Sequence, residues 1–131
     1  MQATTGAPVG LTIRAEPSNV RLVRLVVSSV AADLDLDFEA VEDLRIAADE
    51  LVSALITALS PSATVRVDIA TIDGALEVRA SGDTTGAGGT LDPLADQIVQ
   101  SIVHTYELRL GGDAPFVAFR SRVAATAIRD Y

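Results

Sequence analysis

The chain has 131 residues, no cysteine, and a formal net charge of −8 with a pI of about 4.4. This length predicts one domain, and a composition of 49% hydrophobic and 21% charged residues excludes a disordered chain. Because the acidic charge repels phosphate, direct binding to nucleic acid is not expected, and the absence of cysteine excludes a disulfide framework and a thiolate metal site.

The first half of the chain predicts a strand followed by two helices. Residues 9–15 alternate between apolar and polar, as in a half-buried strand, and Pro17 ends that pattern. The apolar face of the first helix is predicted from a spacing of three and four: Val20, Val23, Val27, Val30 and Leu34. An acidic connector, residues 33–37, leads to a second helix, with Asp37 as its N-cap and Pro61 beyond its end. Its predicted apolar face is Val41, Leu44, Ala48, Leu51, Leu55 and Leu59.

The second half predicts a hairpin, a loop, a third helix and a second hairpin. Alternating residues from Thr64 onward, with Asp73-Gly74 as the turn, indicate the first hairpin. Residues 81–90 contain four glycines and are predicted to be a mobile surface loop. Asp92 caps the third helix, whose predicted face is Leu94, Ile98 and Ile102. Residues 106–110 and 116–123 are the last two strands.

This order of elements predicts an α+β fold. We expect a two-layer sandwich in which a mostly antiparallel mixed sheet is covered on one face by helices. The domain should span residues 9–124, with a flexible tail at 1–8 and another at 125–131. No apolar segment approaches the roughly 18 residues that span a bilayer, and the start lacks the pattern of a signal peptide, so we expect a soluble, cytoplasmic protein without membrane contact.

The most informative pattern lies in residues 16–58, which contain an arginine in the first helix, an acidic start to the second, and a Glu-Leu-Val box. The positions that carry this pattern are Arg24, Glu42, Asp43, Leu44, Ala47 and Glu50. Together with the order of elements from about residue 15 to 123, they make the chain resemble the anti-sigma factors and serine-protein kinases of the GHKL (Bergerat-fold, HATPase_c-like) superfamily. Within that family it is most similar to actinobacterial anti-sigma factors with degenerate ATP motifs.

The family's metal and base motif is a Glu followed four residues later by an Asn. In that motif the Glu accepts a proton from the nucleophile and the Asn coordinates Mg²⁺ between the phosphates of ATP. The resemblance places Glu50 at the acid position and Ala54 at the Asn position. A methyl group cannot bind a metal, and the chain's one asparagine, Asn19, precedes the first helix.

The two other nucleotide motifs of the family are also altered. Alignment on Gly82 places Ala80 where the family has the Asp that recognises adenine, although a shifted register would recruit Asp83. The glycine-rich lid keeps Gly86, Gly88 and Gly89, but the helix after it opens with Asp92 and Asp96, which repel phosphate. The candidate nucleotide-binding residues are therefore Gly82, Asp83 and Gly86, and no metal ligand is predicted.

Several residues also have simpler interpretations. Glu50 can be a solvated helix residue, Asp49 is predicted to face solvent, and the glycine loop can be a plain connection. His104 can carry a proton or lie at the surface. The acids of the 33–37 connector lack the glycine and distant Glu of a calcium loop. Arg21 and Arg24 can contact a partner's acids or only solubilise the helix.

The resemblance implies a protein that binds a sigma factor, is countered by an anti-anti-sigma factor, and forms a homodimer. The negative net charge should raise the rate of association with a basic partner and favour that partner over acidic ones. The alternative from another class is an active serine/threonine kinase that phosphorylates the anti-anti-sigma factor, with Glu50 as its base and ATP and Mg²⁺ as cofactors. A third interpretation is a non-catalytic dimerisation module.

Overall fold

The computed structural model describes residues 8–122 and contains three α-helices and a main antiparallel sheet. The elements are β1 (Val9–Arg14), a 3-10 helix (Pro17–Asn19), α1 (Val20–Asp33), α2 (Phe38–Thr57), β2 (Thr64–Ile72), β3 (Ala75–Gly82), β4 (Gly86–Ala87), α3 (Pro93–Ile102), β5 (Thr105–Arg109), β6 (Gly111–Gly112) and β7 (Phe116–Arg120). Five of the strands form the main sheet, in the order β1-β2-β3-β7-β5. The short strands β4 and β6 pair separately. The predicted α+β class is confirmed, but every strand pair among the described residues is antiparallel, so the sheet is not mixed.

Residues 1–7 and 123–131 lie outside the described part of the chain. The predicted tails and the domain boundaries at residues 9 and 124 therefore remain predictions. The last strand ends at Arg120 rather than at residue 123.

The helices cover one face of the sheet and enclose the core. From α1 the buried residues are Val20, Val23, Val27 and Ala31, so Ala31 replaces the predicted Val30 and Leu34, which are only partly buried. The α2 helix also buries Ala47, Val52 and Ile56, which the predicted single face omitted. This wider burial arises because α2 contacts α1, α3 and the sheet at the same time.

The two central strands are joined by the tight turn that the sequence predicts. Asp73 and Gly74 both have positive φ, 52° and 81°, which is the conformation of a type I′ hairpin turn. The register that follows pairs Ile72 with Ala75 and places Val67 opposite Ala80, so the apolar residues of both strands face the helices.

The glycine-rich segment 81–90 is more regular than predicted. Gly82 belongs to β3, and Gly86 and Ala87 form β4 against Gly112 and Gly111. Gly86 is buried, and the amide of Ala87 donates to the carbonyl of Ala58 at the end of α2. The prediction of a loop is therefore wrong for Gly82, Gly86 and Ala87, which lie in strands, while the mobility of the segment stays a prediction.

The buried face of α3 also differs from the prediction. Ala95 and Val99 are buried, whereas Leu94 is 64% exposed and Ile98 36% exposed. Of the predicted face, only Ile102 packs against the core, where it is partly buried. No helix among residues 8–122 is both long enough and apolar enough to cross a membrane.

Candidate functional site

A cavity of about 430 Å³ lies between α2, the glycine-rich segment and the start of α3. This volume is within the range of small-molecule sites, roughly 300–1,000 Å³. Its wall consists of Glu50, Ser53, Ala54, Thr57, Ala58, Ala87, Gly88, Gly89, Thr90, Leu91, Asp92, Ala95 and Leu110. The cavity therefore lies where the resemblance expects a nucleotide.

The α2 side of the cavity is a single helical stripe. Glu50, Ser53, Ala54 and Thr57 line it, at the three- and four-residue spacing that puts side chains on one face. Sequence reasoning named Glu50 and Ala54 but missed Ser53 and Thr57, although the same spacing could have identified them. Glu50 is half-buried and forms part of this wall.

The cavity does not fit the Mg²⁺ ion that the resemblance implies. Ala54 presents a methyl group where the family has a carbonyl ligand. Within residues 8–122 no three His, Cys, Asp or Glu side chains cluster closely enough to hold a metal ion. The wall of this cavity therefore lacks the oxygen ligand that the family motif would supply to a metal.

The amide hydrogens that open α3 are already bonded. A carboxylate oxygen of Asp92 accepts from the amides of Leu94 and Ala95, at 3.1 and 3.3 Å. Free amides at a helix start are the usual receptor for phosphate, and here a fixed negative charge occupies them. The capping role predicted for Asp92 is confirmed.

Gly82, Asp83 and Gly86 do not line this cavity. A side chain at Gly82 would meet Leu59, with its Cβ 2.8 Å from Cδ1. Asp83 accepts from the backbone amide and the hydroxyl of Thr64, at 2.9 and 2.7 Å, and these bonds lower the pKa of its carboxyl. Gly86 lies directly against the carbonyl oxygen of Leu110. Each of these three residues therefore has a contact within the fold and lies outside the wall of the cavity.

Asp49 faces solvent in part, as predicted, but its carboxylate also has a partner in the protein. Its carboxylate forms an ion pair with Arg24 of α1, at 2.5 Å, and its side chain is 43% exposed. Arg24 is therefore bonded to its own protein, while Arg21 on the same helix is exposed. The pair joins α1 to α2, and no local pattern predicts it because the two residues are 25 positions apart.

A second, larger cavity of about 590 Å³ lies on the other side of α3, lined in part by Asp96, Gln100 and Tyr106. None of the predicted site residues lines it. The hydroxyl of Tyr106 donates to Asp96, which also accepts from Gln100. These bonds lower the pKa of Asp96, and burial followed by the contact with Asp96 raises the pKa of Tyr106 to about 12. His104 lies nearby and is exposed.

The raised pKa of Tyr106 predicts loss of stability at high pH. An unfolded tyrosine ionises near pH 10, so Tyr106 stabilises the fold fully below that pH and loses its contribution as the pH rises through about 12. The chain has no lysine, and arginine keeps its charge there, so no other type of side chain obscures the effect. Tyrosinate absorbance of a Tyr131→Phe variant should report the titration, and Tyr106→Phe should remove the fall in stability. A midpoint near pH 10 would contradict the prediction.

Comparison with known proteins gives a consistent result. A scan against protein-family models finds no match. A crystal structure of the RsbU and RsbW domains of Rv1364c from Mycobacterium tuberculosis superposes with a TM-score of 0.68 over 90% of this chain and 32% of that chain. At 16% identity this likeness shows the fold alone. The chain has the α+β fold of that structure.

Sequence comparison shows which class of protein this chain is similar to. The anti-sigma-F factor RsbW of M. tuberculosis, in strains CDC 1551 and H37Rv, is 40% identical over 78 residues. The match covers 58% of this chain and 46% of the relative, so it spans about half the length of the curated relatives. The predicted resemblance to anti-sigma factors is confirmed, and over the matched residues the chain is a homologue of anti-sigma-F factor RsbW.

Proposed function

We propose that this protein is an anti-sigma factor that binds and sequesters a sigma factor. The observation that carries the proposal is the 40% identity with anti-sigma-F factor RsbW, supported by the shared fold. An anti-anti-sigma factor would compete for an overlapping surface and release the sigma factor. We place this function in the cytoplasm and expect a homodimer, which light scattering of the purified protein would test.

The helical layer offers a surface suited to such a partner. Leu25 on α1 is 63% exposed, Phe38 at the start of α2 is 79% exposed, and Ile46 is 40% exposed. A groove beside Leu25 is bordered by the charged side chains of Arg21, Glu42 and Arg45. Exposed apolar residues surrounded by charge are a common feature of protein interfaces.

Replacing Leu25 by Glu should weaken sigma-factor binding by about tenfold or more, because it puts a charge into the apolar centre of the proposed interface. Leu94→Glu is the matched control, since Leu94 is exposed to the same extent, 64%, on α3. Each sigma factor of the source genome would be tested for complex formation with the purified protein and for inhibition of transcription. Failure to bind or inhibit any of them would contradict the proposed function, whereas equal loss in both variants would contradict only the surface.

We further propose that the nucleotide site is degenerate. Three features support this: the methyl of Ala54 at the metal position, the Asp92 carboxylate on the amides of α3, and the engagement of Asp83 with Thr64. Phosphoryl transfer requires a metal to neutralise the charge that develops between the phosphates. A protein that lacks the ligand would act by binding alone.

Calorimetry with Mg-ATP should therefore show no binding in the micromolar range, and radiolabelled ATP should transfer no phosphate to a candidate anti-anti-sigma factor. A homologue with an intact Asn in its motif serves as the positive control. If phosphate transfer is seen and Glu50→Gln abolishes it, the alternative kinase function is correct. Sigma-factor binding is measured separately, so the two proposals can fail independently.

A further inference from the structure

The face of the sheet opposite the helices carries a concentration of positive charge. Strand alternation and register place five arginines and three acids there: Arg14, Arg66, Arg79, Arg109 and Arg120, with Asp68, Glu77 and Glu107. We call this set of residues, together with Phe116, the basic sheet face. Its formal charge is positive, although that of the whole chain is −8. Half of the chain's ten arginines lie on this one surface.

Two of these arginines are neutralised within the face. Arg66 pairs with Asp68 at 3.0 Å, and Arg120 pairs with Glu77 at 2.9 Å. No carboxylate of residues 8–122 forms a salt bridge with Arg14, Arg79 or Arg109. The unpaired arginines therefore lie on β3, on β5 and at the end of β1, and they outnumber the one acid of the face without a salt bridge, Glu107, which lies two residues before Arg109 on β5.

Phe116 on β7 organises two of the three remaining arginines. The guanidinium carbon of Arg79 lies 4.2 Å from the centre of the Phe116 ring, and that of Arg109 lies 5.6 Å from it. Both distances are within the range of a cation–π contact, which holds a guanidinium in place without using its hydrogen-bond donors. Arg79 and Arg109 thus converge on one aromatic ring with donors available for an acceptor.

We propose that the basic sheet face is a docking surface for an acidic segment of another protein. Arg79 and Arg109, from the strands on either side of Phe116, would bind the carboxylates of that segment. Guanidinium groups recognise carboxylates through paired hydrogen bonds, and fixing them beforehand reduces the entropy lost on binding. This surface is separate from the helical surface of the proposed function and does not depend on it.

Charge decides between the possible occupants. A symmetric contact with a second copy would set one positive face against another. An extended polyanion such as nucleic acid would meet the field of the whole acidic chain. A short acidic segment interacts mainly within a Debye length, about 8–10 Å, and so meets the local positive charge.

The test uses a short peptide of alternating glutamate and alanine as the probe, titrated into the isotopically labelled protein. Amide shifts should concentrate on β3, β5 and β7 and should weaken as salt is added. The double variant Arg79→Gln with Arg109→Gln should bind about tenfold more weakly. Phe116→Leu, which keeps an apolar side chain but loses the ring, should weaken binding by about two- to fivefold.

The control is Arg21→Gln with Arg45→Gln, which removes the same formal charge from the helical layer, where Arg45 is paired with Glu42. This control should bind the peptide as the unaltered protein does, and thermal melting shows that each variant is folded. The proposal is overturned if the peptide does not bind, if the shifts fall on the helices, or if both double variants lose affinity equally. Tighter binding of an oligothymidine to the same strands would also overturn it, in favour of a nucleic-acid surface.

Discussion

Replacing Phe119 by alanine is expected to lower the free energy of unfolding by about 3–5 kcal/mol, the usual cost of emptying a buried aromatic site. Phe119 is 2% exposed in β7, between Val78 of β3 and Tyr106 of β5. Neighbours on both strands are fixed by their ladders and cannot move into the space. A domain of this size has a total stability of roughly 5–15 kcal/mol, so a large part of it would be lost.

Urea denaturation of the purified variants measures this loss. Phe38→Ala is the matched control, because it removes the same atoms from a side chain that is 79% exposed. Its unfolding free energy should change by no more than about 0.5 kcal/mol. Equal losses in the two variants would mean that the core is not organised around β7 as described.

The strands and the helices differ in how far the sequence predicts them. The period of two predicts the strands, because a sheet with one covered face requires alternation. The periodicity also predicts that the three helices exist, but it predicts their buried faces less well. For α1 the sequence predicts Val30 in the core, whereas the structure buries Ala31. A helix that contacts several neighbours buries more than one stripe, and which small residues complete it depends on partners distant in sequence.

The candidate site divides in the same way. The family resemblance places Glu50 and Ala54 in the nucleotide motif, and the local capping rule predicts Asp92 at the start of α3; all three line the cavity. The contacts of Asp49 with Arg24 and of Asp83 with Thr64 join residues 25 and 19 positions apart. No local sequence pattern encodes these contacts. The sequence therefore could not show that Asp83 supports the start of β2.

Replacing Gly86 by alanine is expected to destabilise the protein by about 1–3 kcal/mol, the usual cost of overpacking, and to disrupt the pairing of β4 with β6. A Cβ on Gly86 would lie 2.1 Å from the carbonyl oxygen of Leu110 and 2.9 Å from Cβ of Pro115. The first contact is with backbone, so no change of side-chain rotamer can relieve it. The strand itself would have to move.

Movement of β4 would reach the cavity, because Ala87, Gly88 and Gly89 form its wall. Hydrogen exchange should therefore quicken at the amides of Ala87 and Gly88, which bond to Ala58 and Leu110. Ala87→Ser is the matched control, since the neighbouring side chain is exposed and has room. Unchanged stability and exchange in Gly86→Ala would show that the glycine-rich segment is as mobile as its composition predicts, and that the cavity has no fixed wall on that side.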